Sequence, residues 1–585
     1  MKHKKTISGL MILVSLALAG CNFGSVSSSA ASSSASDITT TTEVTSVNDD
    51  SSLPSSESGT SESSSEETIV DGHALRTVED LELLRAHPED DFHLLRNIDL
   101  GGIEWVPIPL FSGKFYGRDH KIKNLTIDES SHTMTGFFAV LDGAYIVDLT
   151  FENVEIAVHG PAEPVAKLEN GAGVLAAMQM ISLGSRATYI ENVHVTKSGG
   201  RAVINMIDNE TKPENRLEIA GGLIGVSGGP LTIHDSSVDI AINGAVVTGG
   251  LVGMLDGEHV VQISNSTVSG DYNGKMLVGG FVGLAIGSDY TIFSSTNNAS
   301  LSAGGLDDPD MAFTGGFVGA TIGGFLAIQN GLNTGFIGNV QRAFETELMG
   351  AGGFIGAALD GANVALTKVH NRGQIKINVG NNAGGLVAYV GDVNSLAIAK
   401  SRNSGGVKAL NHAGGLIAMI NDATNVTIAN SYNEGSVTAD DITNSGIGGI
   451  SGGFVARIHE ADITVSNSYN NAAIHTANSF AGGFFGYIFE GIATLTNVLH
   501  IGEITGTQDV GTFAGDTSYN LQITNSYYNA SFVNRDGEVP DWINLQGAEV
   551  LLANLDSDFF NTTLGWDNTI WDLTNIDSTN LPTLI

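Results

Sequence analysis

The chain has 585 residues and a formal net charge of −37, with 26 lysines and arginines against 63 aspartates and glutamates. A field of this sign repels phosphate backbones, which argues against nucleic-acid binding. The single cysteine excludes a disulfide within the chain and any cysteine-based zinc or iron–sulfur site. The length, with 42% hydrophobic residues and 74 glycines against 11 prolines, predicts several domains or a repeat array with a buried core.

Residues 1–20 have the pattern of an export signal. Three lysines near the amino terminus precede an apolar run from Leu10 to Ala19 that is too short to span a bilayer. The run ends in Leu18-Ala19-Gly20-Cys21, which resembles the lipobox of bacterial lipoproteins. The resemblance implies cleavage before Cys21 and a membrane anchor of palmitate-type acyl chains on its thiol. An ordinary signal peptide with an incidental cysteine is the alternative.

Residues 21–68 consist almost entirely of Ser, Thr, Ala, Asp and Glu after the cysteine. Such a segment cannot bury enough apolar surface to order itself. The composition predicts a disordered tether that lifts the rest of the chain away from the membrane.

From residue 131 to 530 one short motif recurs, in which small residues precede an apolar pair and a Gly or Ala. Between residues 222 and 515 the first apolar residues of successive copies are 28 to 38 residues apart. A second motif, such as Val465-Ser466-Asn467-Ser468, lies between the copies, and this alternation indicates a repeat architecture. The clear copies of the first motif contain Gly222, Gly250, Gly280, Gly316, Gly353, Gly385, Gly415, Gly453 and Gly483.

The repeats predict an all-β fold, a right-handed parallel β-helix of about 12 coils, each adding about 4.8 Å. Segments such as Val238 to Ile242 alternate apolar and polar residues, as half-buried strands do. The glycine pair is expected to supply backbone freedom at a tight corner, and the asparagines to adopt left-handed turns and stack along the axis. The glycine density and the β-branched alternation argue against helical repeats of similar period.

The repeats and the opening segment together resemble the GLUG-motif proteins of bacterial cell surfaces. The resemblance covers about residues 68 to 585 and implies a β-helical fold with little information about activity. Residues 116–120 read Tyr-Gly-Arg-Asp-His, where the family usually has Asp-Gly-Asn-Gly-His. The matching segments are Thr77–Leu81, Asn97–Leu100, Trp105–Ile108, Phe115–Leu125 and the end of the chain with Trp566, Trp571 and Leu581–Leu584.

Short helical caps are expected at both ends, because open terminal coils expose strand edges. Residues 69–130 form the predicted amino-terminal cap and first coils, with a helix starting at Thr77 and Asp80. Residues 531–585 form the predicted carboxyl-terminal cap. It is expected to contain a helix from Asp541 to Asn554 and a packed group formed by Trp542, Trp566 and Trp571.

No set of residues in the sequence forms a complete catalytic site. His459-Glu460 lacks the second histidine of the helical zinc motif, because Ile463 stands in its place. Calcium is the metal that the acidity favours, with solvated turns as the alternative reading of the same residues. The calcium candidates are Asp307, Asp308, Asp310, Asp440 and Asp441.

The sequence therefore predicts a lipoprotein anchored at Cys21 and displayed at the bacterial surface, outside the cytoplasm. Its expected role is that of an adhesin or recognition protein for a host protein, a matrix protein or a glycan. We expect no enzymatic activity and no cofactor other than calcium. A carbohydrate-active enzyme, either a lyase or a glycosidase, and a purely structural surface component are the alternatives.

Overall fold

A computed structural model describes residues 71–129, 134–159, 170–182, 186–207, 218–304, 311–339, 348–377, 382–440, 449–477, 479–506, 509–517, 520–529, 533–535 and 547–585. The fold is an all-β parallel β-helix, as the sequence predicts. Among these residues, one antiparallel pair occurs, between Trp571–Asp572 and Thr583–Leu584 at the carboxyl end. Cys21 and the tether lie outside the described residues.

Each coil lies over the next, so that equivalent strands form five stacks along the axis. Stack 1 contains the glycine motif and has 12 strands. Its strands are Met134–Thr135, Asn170–Gly173, Glu218–Gly221, Val247–Gly249, Leu277–Gly279, Ala312–Gly315, Met349–Gly352, Asn382–Gly384, His412–Gly414, Ile450–Gly452, Ala481–Gly482 and Val510–Gly511.

Stack 2 follows stack 1 in every coil, and two of its strands continue into stack 3 without a break. Its strands are Phe138–Asp142, Ala176–Met180, Ile224–Gly228, Val252–Asp256, Val282–Ile286, Val318–Ile322, Ile355–Leu359, Val387–Gly391, Ile417–Ala429, Val455–Ser466, Phe485–Ile488 and Ala514–Thr517.

Stack 3 begins before the first glycine motif and therefore includes the amino-terminal coils. Besides the two shared strands, it comprises His73–Leu75, Asp91–Leu94, Lys114–Glu129, Tyr145–His159, Thr188–Thr196, Leu231–His234, Val260–Ser264, Asp289–Phe293, Phe325–Gln329, Asn363–Thr367, Ser395–Ala399, Ile492–Thr496 and Asn520–Thr524.

Stacks 4 and 5 complete each coil. Lys114–Glu129, Tyr145–His159 and Thr188–Thr196 of stack 3 continue into them, and the remaining strands are short. Stack 4 comprises Ile98–Asp99, Ser237–Asp239, Thr267–Ser269, Thr296–Asn297, Leu332–Asn333, His370–Asn371, Arg402–Asn403, Tyr432–Asn433, Tyr469–Asn470, Leu499–His500, Tyr527–Tyr528 and Ala548–Glu549. Stack 5 comprises Ala202–Ile207, Ala241–Asn243, Asp271–Gly274, Ser300–Ala303, Ile337–Asn339, Ile375–Lys376, Val407–Ala409, Val437–Ala439, Ile474–Thr476, Ile504–Gly506 and Val533–Arg535.

The motif glycines are required for a reason that differs from the expected one. None of the nine has a positive φ, so the prediction that they supply backbone freedom is wrong. A Cβ added to Gly280 would lie 2.0 Å from the carbonyl oxygen of Gly316 in the next coil. Neighbouring coils approach so closely at this corner that only a residue without a side chain fits.

Asparagines have both of the predicted roles. Those of the second motif, such as Asn265 and Asn467, adopt left-handed turns with φ of 50° and 47°. In stack 4 a separate set of buried asparagine side chains forms a hydrogen-bonded ladder along the axis. The ladder runs through Asn297, Asn333, Asn371, Asn403, Asn433 and Asn470 and ends at His500, with donor–acceptor distances of 2.7 to 3.2 Å.

One continuous apolar core fills the coil interior from Leu75 to Ala514. A second apolar cluster lies on the outer side of the strands of stack 1, where residues such as Leu277 and Phe313 pack against Met254 and Leu284 of stack 2. Stack 1 is therefore buried on both faces, which explains why its strands carry apolar or small residues without alternation.

The helical caps are much shorter than predicted. The amino-terminal cap is a 3-10 turn at Glu79–Glu82 followed by a single α-helical turn at Leu83–Ala86. The helix expected from Asp541 to Asn554 is wrong in its described part, which contains the strand Ala548–Glu549 and a 3-10 turn at Leu552–Asn554. The backbone of this strand pairs with the open edge of Tyr527–Tyr528, and a helix could not supply these backbone hydrogen bonds.

The predicted tryptophan group at the carboxyl end is confirmed for the two members within the described residues. Trp566 and Trp571 are buried and stack with ring centroids 4.5 Å apart. They pack on the π-helical turn Phe559–Thr563 and on Tyr469 of stack 4. Within the described part of the chain, no helix is both long and apolar enough to cross a membrane.

Candidate functional site

Aromatic side chains form a line on the outer face of stack 3 in the first coils. His93, Tyr116, Tyr145 and Tyr189, called the aromatic strip below, alternate along their strands with buried residues such as Phe115. The ring centroids of His93 and Tyr116 lie 4.7 Å apart, and those of Tyr145 and Tyr189 lie 5.2 Å apart, each pair inclined by 7°. Tyr116 and Tyr145 are 5.9 Å apart and tilted.

The strip presents ring edges and phenol hydroxyl groups to solvent, because parallel rings that stack along the axis cover one another's faces. It ends after four coils. At the position of Tyr189 the next coils carry Thr232, Gln262, Thr291 and Ala327 in register. The strip of stacked rings thus ends in the amino-terminal part of stack 3, and later coils expose phenylalanines such as Phe293 and Phe325 away from this register.

Charged side chains border the strip. Lys114 Nζ lies 2.9 Å from Asp91 Oδ2, and this hydrogen bond raises the pKa of the lysine. The hydroxyl of Tyr189 donates to Glu191 Oε2 at 3.0 Å. Burial, followed by the neighbouring Glu191, raises the pKa values of Tyr145 and Tyr189, so both phenols stay protonated and can donate hydrogen bonds.

Beside the strip, where stack 3 turns into stack 4, Glu191, His234 and Asp235 form a group that we call the His234 corner. Glu191 and His234 are register partners on adjacent coils, and one ligand atom from each of the three residues lies within 4.8 Å of the others. His234 Nε2 is 3.0 Å from Asp235 Oδ2. Its Nδ1 lies 2.8 Å from Ser264 Oγ. This contact to Ser264 orients the ring so that Nε2 faces the carboxylates.

The His234 corner has the donor set of a divalent transition-metal site. One imidazole nitrogen and two carboxylate oxygens suit Zn²⁺ or Mn²⁺, whereas Ca²⁺ requires six to eight oxygen ligands. Three protein ligands would leave coordination positions open to water or to a bound ligand.

His194 lies close to this corner in the fold, but both of its ring nitrogens already have hydrogen-bond partners. Its Nδ1 is 2.8 Å from Ser237 Oγ, and its Nε2 is 2.8 Å from Asn192 Oδ1. Burial lowers the pKa of His194, so the ring is neutral at pH 7 and contributes to structure.

Of the predicted calcium ligands, the described residues include Asp440 alone. Asp307, Asp308, Asp310 and Asp441 lie outside the described residues. Asp440 is half-buried and forms an ion pair with Lys408, which stands beside it on stack 5. His459-Glu460 lies on the strand Val455–Ser466.

The residues of the His234 corner were missed in the sequence because their spacing is irregular. Glu191 and His234 are partners although 43 residues separate them, which exceeds the 28 to 38 residues of the later repeats. The only signal was the histidine followed directly by an aspartate in a strand-to-turn position. Which carboxylate lies beside that pair depends on register, and the sequence does not show the register.

Two of the solved structures that resemble the chain are named as immunoglobulin A1 proteases. A Bacteroides ovatus protein provisionally named an immunoglobulin A1 protease is 12% identical over 88% of this chain and 91% of its own, with a TM-score of 0.19. A second solved structure, named IgA1 Protease, is 13% identical with a TM-score of 0.19. It aligns with 78% of this chain, which spans 21% of that protein's chain. No protein-family profile and no curated protein matches the sequence.

These names contradict the expectation from the sequence that the protein is not an enzyme, because both neighbours are named as proteases. We withdraw that expectation. At this TM-score the likeness assigns neither a reaction nor a catalytic residue to the chain. The resemblance to GLUG-motif lipoproteins stays a prediction, while the parallel β-solenoid architecture that it implied is confirmed.

Proposed function

We propose that the protein is an extracellular recognition protein that binds a hydroxyl-rich glycan through the aromatic strip and the His234 corner. The observation that supports the proposal is their position side by side in the first coils, whereas the following coils carry Thr232, Gln262, Thr291 and Ala327 at the register of Tyr189. In this proposal Cys21 carries the lipid anchor, and residues 21–68 hold the β-helix away from the membrane. The protein then acts as an adhesin for a host or matrix glycan.

The chemistry of this side suits neutral sugars. Phenol hydroxyls donate hydrogen bonds to sugar hydroxyl groups, and carboxylates accept hydrogen bonds from them. A cation at the His234 corner would offer its open positions to two neighbouring hydroxyls. The net charge of −37 disfavours polyanionic glycans.

The test is binding of the chain from residue 21 onward, carrying Cys21→Ser, to an array of glycans and matrix proteins with Zn²⁺, with Ca²⁺ and with a chelator. We expect selective glycan binding that falls at least about tenfold in Tyr145→Ala and in His234→Ala. Gln262→Ala is the matched control, because this exposed residue lies on the same face two coils beyond Tyr189. Equal loss in the control, or no glycan binding, would refute the proposal.

A second candidate, a glycosidase, is favoured by the carboxylate spacing. The nearest oxygens of Glu191 and Asp235 lie within 4.8 Å, close to the roughly 5 Å that separates the two carboxyl groups of retaining glycosidases. Release of reducing ends from the bound glycan, abolished by Glu191→Gln, would support it. Binding without any release over hours would support recognition alone.

A further inference from the structure

Three side chains of the kinds that bind transition metals meet at the amino-terminal end of the β-helix. His73 lies on the first strand, His87 ends the single α-helical turn, and Asp90 stands directly before the second strand. Asp90 Oδ2 is 2.8 Å from His73 Nε2 and 3.8 Å from His87 Nδ1. All three ligand atoms lie within 4.8 Å of one another.

We propose that His73, His87 and Asp90 bind a divalent transition ion of the zinc class, which clamps the amino-terminal cap to the first coil. Ligands at about 2.0–2.1 Å from a tetrahedral ion lie about 3.3 Å apart. The distances of 2.8 Å and 3.8 Å from Asp90 Oδ2 to the two histidine nitrogens fall on either side of that value. Two imidazoles select zinc, copper or nickel over calcium and magnesium, which prefer oxygen ligands.

One of the imidazoles is held in place and the other is free to adjust. The His73 ring packs between Phe92, at 5.0 Å, and His87, at 5.2 Å between ring centroids. Phe92 is fully buried, so it fixes the inner side of His73. The rings of His73 and His87 are inclined by only 20°, whereas a bound ion lies in the plane of each imidazole. Binding therefore requires His87, whose side chain is 51% exposed, to rotate out of the stack.

The backbone around the ligands is already ordered. The amide of His87 donates to the carbonyl of Leu83, and the amide of Asp90 donates to the carbonyl of His87 at 3.2 Å. The carbonyl of Asp90 accepts from the amide of Lys114 on the next coil at 3.3 Å. The ion would thus join a strand, a helical turn and a loop whose positions are set before it arrives, which lowers the entropic cost of binding.

The expected consequence is a more stable end of the β-helix. The cap covers the first core residues, Leu75, Leu81 and Leu84, and a terminal coil has a neighbour on one side only. An ion that binds the closed cap alone reduces its opening by the factor 1 + [ion]/Kd, which is about 100-fold at an ion concentration of 100 times Kd.

The test uses the full chain without a polyhistidine tag, titrated calorimetrically with ZnCl₂ and separately with CaCl₂ and MgCl₂. Amide hydrogen exchange of residues 73–94 is then measured with and without zinc. We expect zinc binding that is lost from this site in His87→Ala and Asp90→Asn, and exchange slowed up to about 100-fold by zinc in the wild type only. His475→Ala is the matched control, because this exposed histidine lies near the other end, where its Nδ1 contacts Thr505.

Glu191→Gln is expected to abolish zinc binding at the His234 corner, so the zinc bound at each of the two sites can be counted separately. The inference is overturned if His87→Ala and Asp90→Asn bind as much zinc as the wild type. It is also overturned if zinc leaves the exchange of residues 73–94 unchanged. Because His87 is exposed and buries no core surface, its substitution leaves the fold intact.

Discussion

The buried asparagine ladder is a feature whose contribution to stability can be worked out bond by bond. Asn371 lies at its centre and is fully buried. Its Oδ1 accepts from Asn333 at 2.7 Å, and its Nδ2 donates to Asn403 Oδ1 at 2.7 Å and to the carbonyl of Gly373 at 3.0 Å. Asn371→Ala removes all three hydrogen bonds.

Each such bond contributes about 1 kcal/mol net, so the substitution is expected to cost about 3 kcal/mol. Two further effects change this cost, one by lowering it and the other by raising it. The cost is lowered because both partners keep a hydrogen bond. Asn333 Nδ2 still donates to the carbonyl of Gly335 at 3.5 Å, and Asn403 Oδ1 still accepts from the amide of Gly405 at 3.2 Å. The space left in the ladder costs packing energy unless water fills it. The expected loss is therefore between about 2 and about 4 kcal/mol.

The assay is native-state hydrogen exchange of the coils around residue 371, accompanied by urea unfolding. Exchange is needed because a long repeat array does not unfold in one cooperative step, so a single midpoint underestimates a local change. Asn394→Ala is the control, since this exposed asparagine makes a hydrogen bond of 2.7 Å to the carbonyl of Gly361 and is expected to change stability by less than about 1 kcal/mol. Equal effects of the two substitutions would refute the reasoning that the ladder stabilises the coil.

Gly353→Ala places a Cβ 2.1 Å from a carbonyl oxygen of the next coil, so we expect it to disrupt local packing and reduce soluble yield, whereas Gly228→Ala, which meets nothing closer than 3.9 Å, does not. Burial lowers the pKa of His500 to about 4 from the ordinary 6.5. Between those pH values the unfolded chain binds a proton that the folded chain does not, so stability falls as the pH is lowered, by up to about 1.4 kcal/mol per unit. His500→Asn, which continues the ladder, is expected to reduce that slope in native-state hydrogen exchange of the coils around residue 500, measured at pH 7 and pH 4.5. Trp571→Ala is expected to cost about 3–5 kcal/mol within the carboxyl-terminal cap, seen as faster exchange in residues 547–585 without a change in the cap at residues 73–94.

The sequence by itself determined the architecture of the β-helix. Motif copies at regular intervals, alternating strands and asparagines at turns are local signals, and each depends on a residue's own backbone preference or on the side of the strand that it occupies. The stack of parallel coils and the left-handed asparagines followed from them. The recurrence of glycine could also be seen in the sequence. The reason for it, which is the close contact between Gly280 and Gly316 of neighbouring coils, could not.

Only the tertiary structure decided which side chains of different coils meet. The His234 corner depends on the pairing of Glu191 with His234 across an irregular interval, and the His73–His87–Asp90 group depends on how a short turn folds over the first strand. The expected helix at residues 541–554 gave way to the strand Ala548–Glu549 for the same kind of reason, since the open edge of the last coil needed hydrogen-bond partners. Contacts between coils are set by register and by edge pairing, which no local preference of the chain encodes.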